Sequence, residues 1–303
     1  MLWTEKYRPT RLSQLVGQES FKMDAENWVL LKDMPNVLIH GSAGTGKTAA
    51  AYILGYEMLG KDMKSNFYEI NASDDRKLEV VRNRIKEIVS HSTIGDVPFK
   101  IIFLDEMEGM TNDAQNALKR IMERYADHVR FIFTSNDRSK IVYPLQSRCA
   151  NYYFNTLSNE AILNVVEFVL NEEKQKIPPS SELQAFIGAY NGDMRRVLTE
   201  LQASINSNTA LKTQINKSLD EYQKVIEDII DQKLDSALEK MFELIYSGNT
   251  LKNICVGLHD VITNGEMDSR QKYKLLGIIG ETEWRSQTMT PRVLASWMIA
   301  QTK

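Results

Sequence analysis

The sequence is poor in the residues that build covalent or metal-held scaffolds. Two cysteines, Cys149 and Cys255, and four histidines in 303 residues exclude a disulfide framework and a Cys/His metal cluster. A bridge between the two thiols is not expected in a chain that reads as intracellular. No apolar run approaches the roughly 18 residues of a membrane span. The N-terminal MLWTEKYRP also lacks the apolar core of a signal peptide. A soluble protein of a reducing compartment is expected, with no membrane partner. Charge of one sign is scarce as well. With 37 basic and 40 acidic residues the formal charge is −3, so any nucleic-acid contact must come from a local basic patch. Repeats and low-complexity segments are absent. What remains is an ordinary globular composition, 43% apolar and 25% charged, long enough for two or three domains.

Against that plain background one stretch stands out, GSAGTGKT at 41–48. It follows the apolar run Val37-Leu38-Ile39-His40 and leads into Ala49-Ala50-Ala51-Tyr52-Ile53-Leu54, the strand–GxxxxGK[ST]–helix context of a P-loop. Gly41, Gly44 and Gly46, with Ser42, Ala43 and Thr45 between them, let successive N–H groups turn toward a phosphate. The new helix adds unpaired amides and a partial positive charge. Lys47 can reach the β- and γ-phosphates, and the Thr48 hydroxyl can hold Mg²⁺. A nucleotide site is expected here.

The rest of the first half reads as alternating strands and helices. Strands are expected at 67–71, 100–104, 130–134 and 151–154, and helices at 76–90 and 111–125. Ala72-Ser73-Asp74-Asp75 offers N-cap chemistry to the first of these helices. Its polar side carries Arg82 and Lys86 at i,i+4. Composition leaves two readings, a solvated face balanced by Glu79 and Glu87, or a surface for an external anion. The apolar run 100–104 ends in Asp105-Glu106, whose carboxylates are expected to point to opposite sides of the strand. Asp105 then binds Mg²⁺ with Thr48, while Glu106 polarises an attacking water. Asn136, at the end of the 130–134 strand, either holds the γ-phosphate or water, or simply forms a turn.

From Leu157 onward the pattern is helical. Helices are expected after Ser158, around Pro179-Ser180 and from Asp193 to about Ile205, with a boundary at 206–209. Beyond it, 219–246, 250–264, 268–282 and 290–301 read as four amphipathic helices. Their Met and aromatic residues suit a core, not a cofactor. The expected architecture is an α/β P-loop domain with a five-stranded parallel sheet at 1–156. A small helical lid at 157–207 and an all-α domain at 208–303 complete it.

A P-loop, an Asp-Glu strand end, a strand-end Asn and a later Gly-Asp-Met-Arg, in that order, resemble an AAA+ ATPase. WTEKYRP, NASDD at 71–75, DEMEGMT with AQNALKR at 105–120, PLQSRCA at 144–150 and GDMRR at 192–196 are similar to the replication factor C small subunits. The motifs span about 1–205, and the helical tail is similar to that family's collar. The resemblance implies an ATP- and Mg²⁺-dependent clamp-loader subunit that opens a PCNA-type sliding clamp and loads it on primer–template DNA. It implies partners as well, a large subunit and further small subunits in a pentamer. The compartment is cytoplasm for an archaeal chain and nucleus for a eukaryotic one.

Carried over by residue, Thr4, Tyr7, Arg8, Pro9, Val16 and Gly17 line the adenine and ribose pocket. Gly41 to Thr48 hold the phosphates, Asp105 and Glu106 form the Walker B pair, and Asn136 is sensor 1. Arg195 is sensor 2, and Arg148 is an arginine finger for the neighbouring subunit. Arg82, Lys86 and Lys140 fall where the family holds DNA phosphates, and the 90–99 region, Ile94 included, where it meets the clamp. Two departures stand out: GSAG replaces GPPG and DEME replaces DEAD, leaving Lys47, Thr48, Asp105 and Glu106 in place. Losing two prolines makes the empty loop more flexible. The competing readings are another AAA+ remodelling motor and a non-hydrolysing, nucleotide-bound scaffold. The first lacks an aromatic pore-loop candidate between 72 and 100, and the intact site residues oppose the second.

Overall fold

The computed structural model describes all residues except 72–77, 208–213, 248, 266, 287 and 303. The chain divides into two compact units, Met1–Leu211 and Lys212–Lys303. The expected lid boundary after 156 lies inside the first unit. The expected start of the collar at 208, and the capping stretch at 72–75, lie outside the described residues.

Five parallel strands form one sheet in the order β2-β3-β4-β1-β5. They are β1 (Val37–His40), β2 (Phe67–Asn71), β3 (Lys100–Asp105), β4 (Val129–Ser135) and β5 (Ala150–Tyr153). The three inner strands read VLIH, KIIFLD and VRFIFTS and are buried along almost their whole length, as a sheet covered on both faces requires. Their side chains alternate between two cores. Leu38, Ile102, Leu104, Phe131 and Phe133 join one, with Leu118 and Ile121 of helix Asn112–Arg124 and Ile85 of helix Leu78–Ser90. Val37, Ile39, Ile101, Phe103 and Ile132 join the other, with Ile53 and Leu54 of helix Lys47–Leu59 and Phe21 of helix Glu19–Leu31. β2 and β5, at the edges, are only partly buried. The carboxyl ends of β1, β3 and β4 thus meet on one rim, where open α/β sheets bind ligands.

Three lid helices follow at Asn159–Glu172, Ser180–Gly188 and Met194–Asn206. Ser158 Oγ caps the first at 3.2 Å from Ala161 N, and Asp193 Oδ1 caps the third at 3.1 Å from Arg196 N. The second unit holds helices Gln214–Ile230, Leu234–Tyr246, Leu251–Asn264, Ser269–Arg285 and Pro291–Gln301 around a core that includes Val225, Met241, Leu258 and Met298. The single helix expected over 219–246 is therefore two. The break falls at Asp231-Gln232-Lys233, where Gln232 takes φ +60° and Lys233 N–H returns to Asp228 O at 2.8 Å. That reversal lets the two halves pack on each other. Both cysteines are free, and burial pushes their thiols up to about 12 at Cys149 and about 11 at Cys255, leaving them unreactive.

One cation inside the fold has a structural job. Lys100 is 2% exposed, and its Nζ donates to Ile88 O at 2.6 Å and His91 O at 2.8 Å, capping the carboxyl end of helix Leu78–Ser90. Burial holds its pKa below the usual 10.5. Lys100→Ala leaves those carbonyls without a donor and removes a positive charge from the helix's negative end. A loss of about 3 kcal/mol in urea unfolding is expected. A loss below about 0.5 kcal/mol would show that water replaces the ammonium at no cost.

Candidate active site

β1 runs straight into the loop 41–46, and helix Lys47–Leu59 begins on its last glycine. Gly41 has φ +145°, and a Cβ there would lie 2.2 Å from the Phe154 carbonyl oxygen. Gly44, at φ +72°, sits against Asp193, whose Oδ1 would be 1.9 Å from an added Cβ. Neither position admits a side chain. Lys47 is 9% exposed, and its Nζ donates to Gly41 O at 2.7 Å, Ser42 O at 2.7 Å and Asn136 Oδ1 at 2.8 Å. All three ammonium protons are thereby used. Burial lowers the Lys47 pKa from its ordinary 10.5, against the pull of Glu108 and Asp105. Burial, with the charges of Arg138 and Lys47, likewise lowers His40 from 6.5, so this imidazole at the end of β1 stays neutral at pH 7.

Asp105 closes β3 and organises the neighbouring hydroxyls. Thr48 Oγ1 donates to its Oδ2 at 3.1 Å, and Thr134 Oγ1 donates to its Oδ1. A hydroxyl and a carboxylate so placed are the hard oxygen donors that suit Mg²⁺. Glu106 is not on the strand, contrary to expectation. It takes a left-handed turn, φ 55° and ψ 47°, and its N–H is held by Asp105 Oδ1 at 3.1 Å and Thr134 Oγ1 at 3.2 Å. The chain turns at Glu106, so strand alternation does not set the direction of its side chain. The exposed Glu106 faces the same cavity as Asp105.

Asn136 follows β4 and is gripped from two sides. Its Oδ1 accepts a hydrogen bond from Lys47 Nζ, while its N and Nδ2 donate to Glu108 Oε1 at 3.1 and 2.7 Å. Glu108 was visible in the sequence only as the departure DEME. Behind it, buried Gln115 donates to Lys140 O at 3.0 Å and accepts from Val142 N at 2.9 Å, joining this loop to the one after Asn136.

A cavity of about 830 Å³ spans these groups, lined by Ala43, Gly44, Thr45, Gly46, Lys47, Thr48, Asp105, Glu106 and Asn136. Thr4, Tyr7, Arg8, Pro9 and Val16 line its other wall, with Arg195 from the lid. Gly17, Gly41 and Ser42 do not line it. The last two instead offer their carbonyls to Lys47, and Gly17, at φ +66°, faces Leu157. The N-terminal wall is tied to the lid. Tyr7 OH and Lys6 Nζ both donate to Glu173 Oε1 at 2.7 Å, and Trp3 N donates to Gln202 Oε1 at 2.9 Å. Burial first, then Glu173, raises the Tyr7 pKa, so its phenol remains a donor. No local pattern in the sequence points to Glu173 or Gln202.

Arg148 lies apart from this cavity. Its Nε and Nη2 donate to Glu123 Oε1 at 3.0 and 2.5 Å, and Nη1 donates to Pro144 O at 2.9 Å. Lys86 is exposed on helix Leu78–Ser90 and Lys140 is exposed in the turn Arg138–Lys140, whereas the Arg82 side chain lies outside the described residues.

Residues 37–157 match the ATPase family associated with various cellular activities (AAA), and residues 218–287 match the replication factor C C-terminal domain. A replication factor C small subunit of Methanococcus vannielii is 36% identical over 290 residues, covering 93% of this chain and 92% of the relative. That of Methanosarcina acetivorans is 37% identical over 304 residues, covering 94% and 89%. This chain belongs to the replication factor C small subunit family. Among solved structures, the Thermotoga maritima RuvB Holliday junction branch migration motor aligns with a TM-score of 0.57. It covers 85% of this chain and 88% of its own at 15% identity, a likeness of fold alone. As a replication factor C small subunit, the chain is an AAA ATPase and a nucleotide binder with a clamp-loader role in replication. Among the described residues, no helix is long and apolar enough to cross a membrane.

Proposed function

We propose that this subunit uses ATP and Mg²⁺ to open a PCNA-type sliding clamp and place it on primer–template DNA, within a pentamer completed by a large subunit and further small subunits. One observation carries the reading. Lys47, Thr48, Asp105, Glu106, Asn136 and Arg195 converge on one cavity, while Arg148 is held outside it. The pocket thus gathers these groups from its own chain, and Arg148, tethered outside it to Glu123 and Pro144 O, serves a neighbour. Thr48 and Asp105 would hold Mg²⁺, which when bound would offset phosphate charge. Lys47 exchanges its loop carbonyls for phosphate oxygens, Glu106 accepts a proton from the attacking water, and Asn136 and Arg195 hold the terminal phosphate. Thr4, Tyr7, Arg8, Pro9 and Val16 frame the base and ribose, and Gly17 supports that wall from outside the cavity.

The clamp contact falls to the 90–99 loop. Ile94 is 59% exposed, yet its N–H and C=O are both bonded to the carboxamide of fully buried Asn66, at 3.0 and 2.8 Å. An apolar side chain on so fixed a backbone suits insertion into a partner's pocket. Arg82, Lys86 and Lys140 hold DNA phosphates, contacts that carry no sequence information.

The test is ATP turnover by the assembled pentamer, with and without clamp and primed DNA, alongside the amount of clamp left on circular primed DNA. Stimulated turnover with retained clamp is expected; a pentamer that binds ATP without turning it over would make this subunit a scaffold. The DNA assignment is checked separately. The Arg82→Ala/Lys86→Ala pentamer should bind primer–template more weakly, with a log–log salt slope shallower by about two. An unchanged slope would remove those residues from the DNA path.

A further inference from the structure

The Glu108 carboxylate is bonded to Asn136 without itself lining the cavity, and it has no part in the scheme above. It belongs to the short turn Met107–Gly109, and its Oε1 accepts from both nitrogens of Asn136, at 3.1 Å from the backbone and 2.7 Å from Nδ2. Its other oxygen, Oε2, is buried with no hydrogen-bond partner. A buried carboxylate oxygen without a donor costs free energy, so satisfying its own polarity does not explain why this side chain is held inward.

The chemistry on either side of Asn136 is asymmetric. A carboxamide donates at one end and accepts at the other, an ammonium only donates and a carboxylate only accepts. Lys47 on one side and Glu108 on the other therefore admit a single orientation, carbonyl toward Lys47 and amide nitrogen toward Glu108. The Lys47 contact is the one that an arriving phosphate takes away. The Glu108 contacts do not involve Lys47, and they hold backbone and side chain together.

We propose that Glu108 is the positioning residue for Asn136, fixing its carboxamide in the cavity once Lys47 turns to the phosphates. The proposal rests on the reading that this site hydrolyses ATP. Glu108 touches no reacting atom. Its effect passes through Asn136 and belongs to turnover, not to nucleotide affinity.

Pentamers carrying Glu108→Ala, Glu108→Gln, Asn136→Ala or the Glu108→Ala/Asn136→Ala pair are compared for stimulated kcat and ATP affinity. Glu108→Ala should lower kcat by about 10- to 100-fold, the scale of misplacing a reacting group, with ATP affinity changed less than about threefold. Glu108→Gln, which keeps one acceptor oxygen, should recover part of the loss. The double variant should be no slower than Asn136→Ala alone, because residues acting through one another are not additive. A second readout needs no turnover. In the chain labelled with ¹⁵N-asparagine, the Asn136 side-chain amide, assigned with Asn136→Asp, should exchange slowly in the parent and rapidly in Glu108→Ala. Full additivity in the double variant, or an Asn136 amide indifferent to Glu108, would overturn the proposal. A parent pentamer without ATPase activity would instead defeat the functional reading, with the amide spectrum still deciding this one.

Discussion

Arg148→Ala is expected to abolish clamp- and DNA-stimulated hydrolysis while leaving ATP affinity within about twofold of the parent. Affinity survives because Arg148 does not line its own chain's cavity, so no contact to the resident nucleotide is lost. Turnover fails because an arginine finger offered to a neighbour is worth roughly 10³–10⁵ in rate. The Arg148 side chain is partly exposed and tethered to Glu123 by a bridge whose carboxylate is half in solvent. An ion pair that exposed contributes about 1 kcal/mol or less, little enough for a triphosphate to outbid. Single-turnover hydrolysis in a pentamer carrying the variant is the measurement. A stimulated rate equal to the parent's would end the assignment in trans. If ATP affinity fell in step with the rate, Arg148 would be serving the cavity of its own chain.

Glu106→Gln should retain ATP and the ATP-dependent association with clamp and DNA, yet lose about 10²–10⁴ in the hydrolytic step. The substitution keeps size and shape and removes the proton acceptor. The backbone that aims the side chain is untouched, since the N–H of residue 106 is held by Asp105 Oδ1 and Thr134 Oγ1 whatever the side chain is. The left-handed conformation there costs about 1–2 kcal/mol for a residue with a Cβ, and Gln bears the same cost as Glu. Stability should therefore match the parent's, and rapid-quench hydrolysis beside an ATP-binding titration separates the steps. A turnover rate within threefold of the parent's would mean that water is activated by another group.

Much of this site was legible because its signals are local. The loop 41–48 lies between an apolar strand and a helix in eight consecutive residues. The inner strands announce themselves by the apolar runs Ile101–Leu104 and Phe131–Phe133, just before Asp105 and Thr134. What was not legible depends on groups brought together from afar. The Asn136–Glu108 pair spans 28 positions and the Tyr7–Glu173 bond 166, and neither glutamate has a pattern that points to its partner. Lys100 read as the start of a strand, and nothing nearby showed that its ammonium would cap a helix ending ten residues earlier. Strand alternation does not reach Glu106, because the strand ends at Asp105 and tertiary hydrogen bonds hold the next residue in a turn. The 219–246 helix was read as continuous because Asp231-Gln232-Lys233 contains neither Gly nor Pro. Its reversal is made by a left-handed glutamine.

Asp193 resting where a side chain on Gly44 would otherwise stand has a mechanical corollary. The phosphate loop thus packs directly on Asp193, the cap of helix Met194–Asn206, which carries Arg195. A methyl group at position 44 would act as a wedge between them, forcing the phosphate loop and the cap of the Arg195 helix apart.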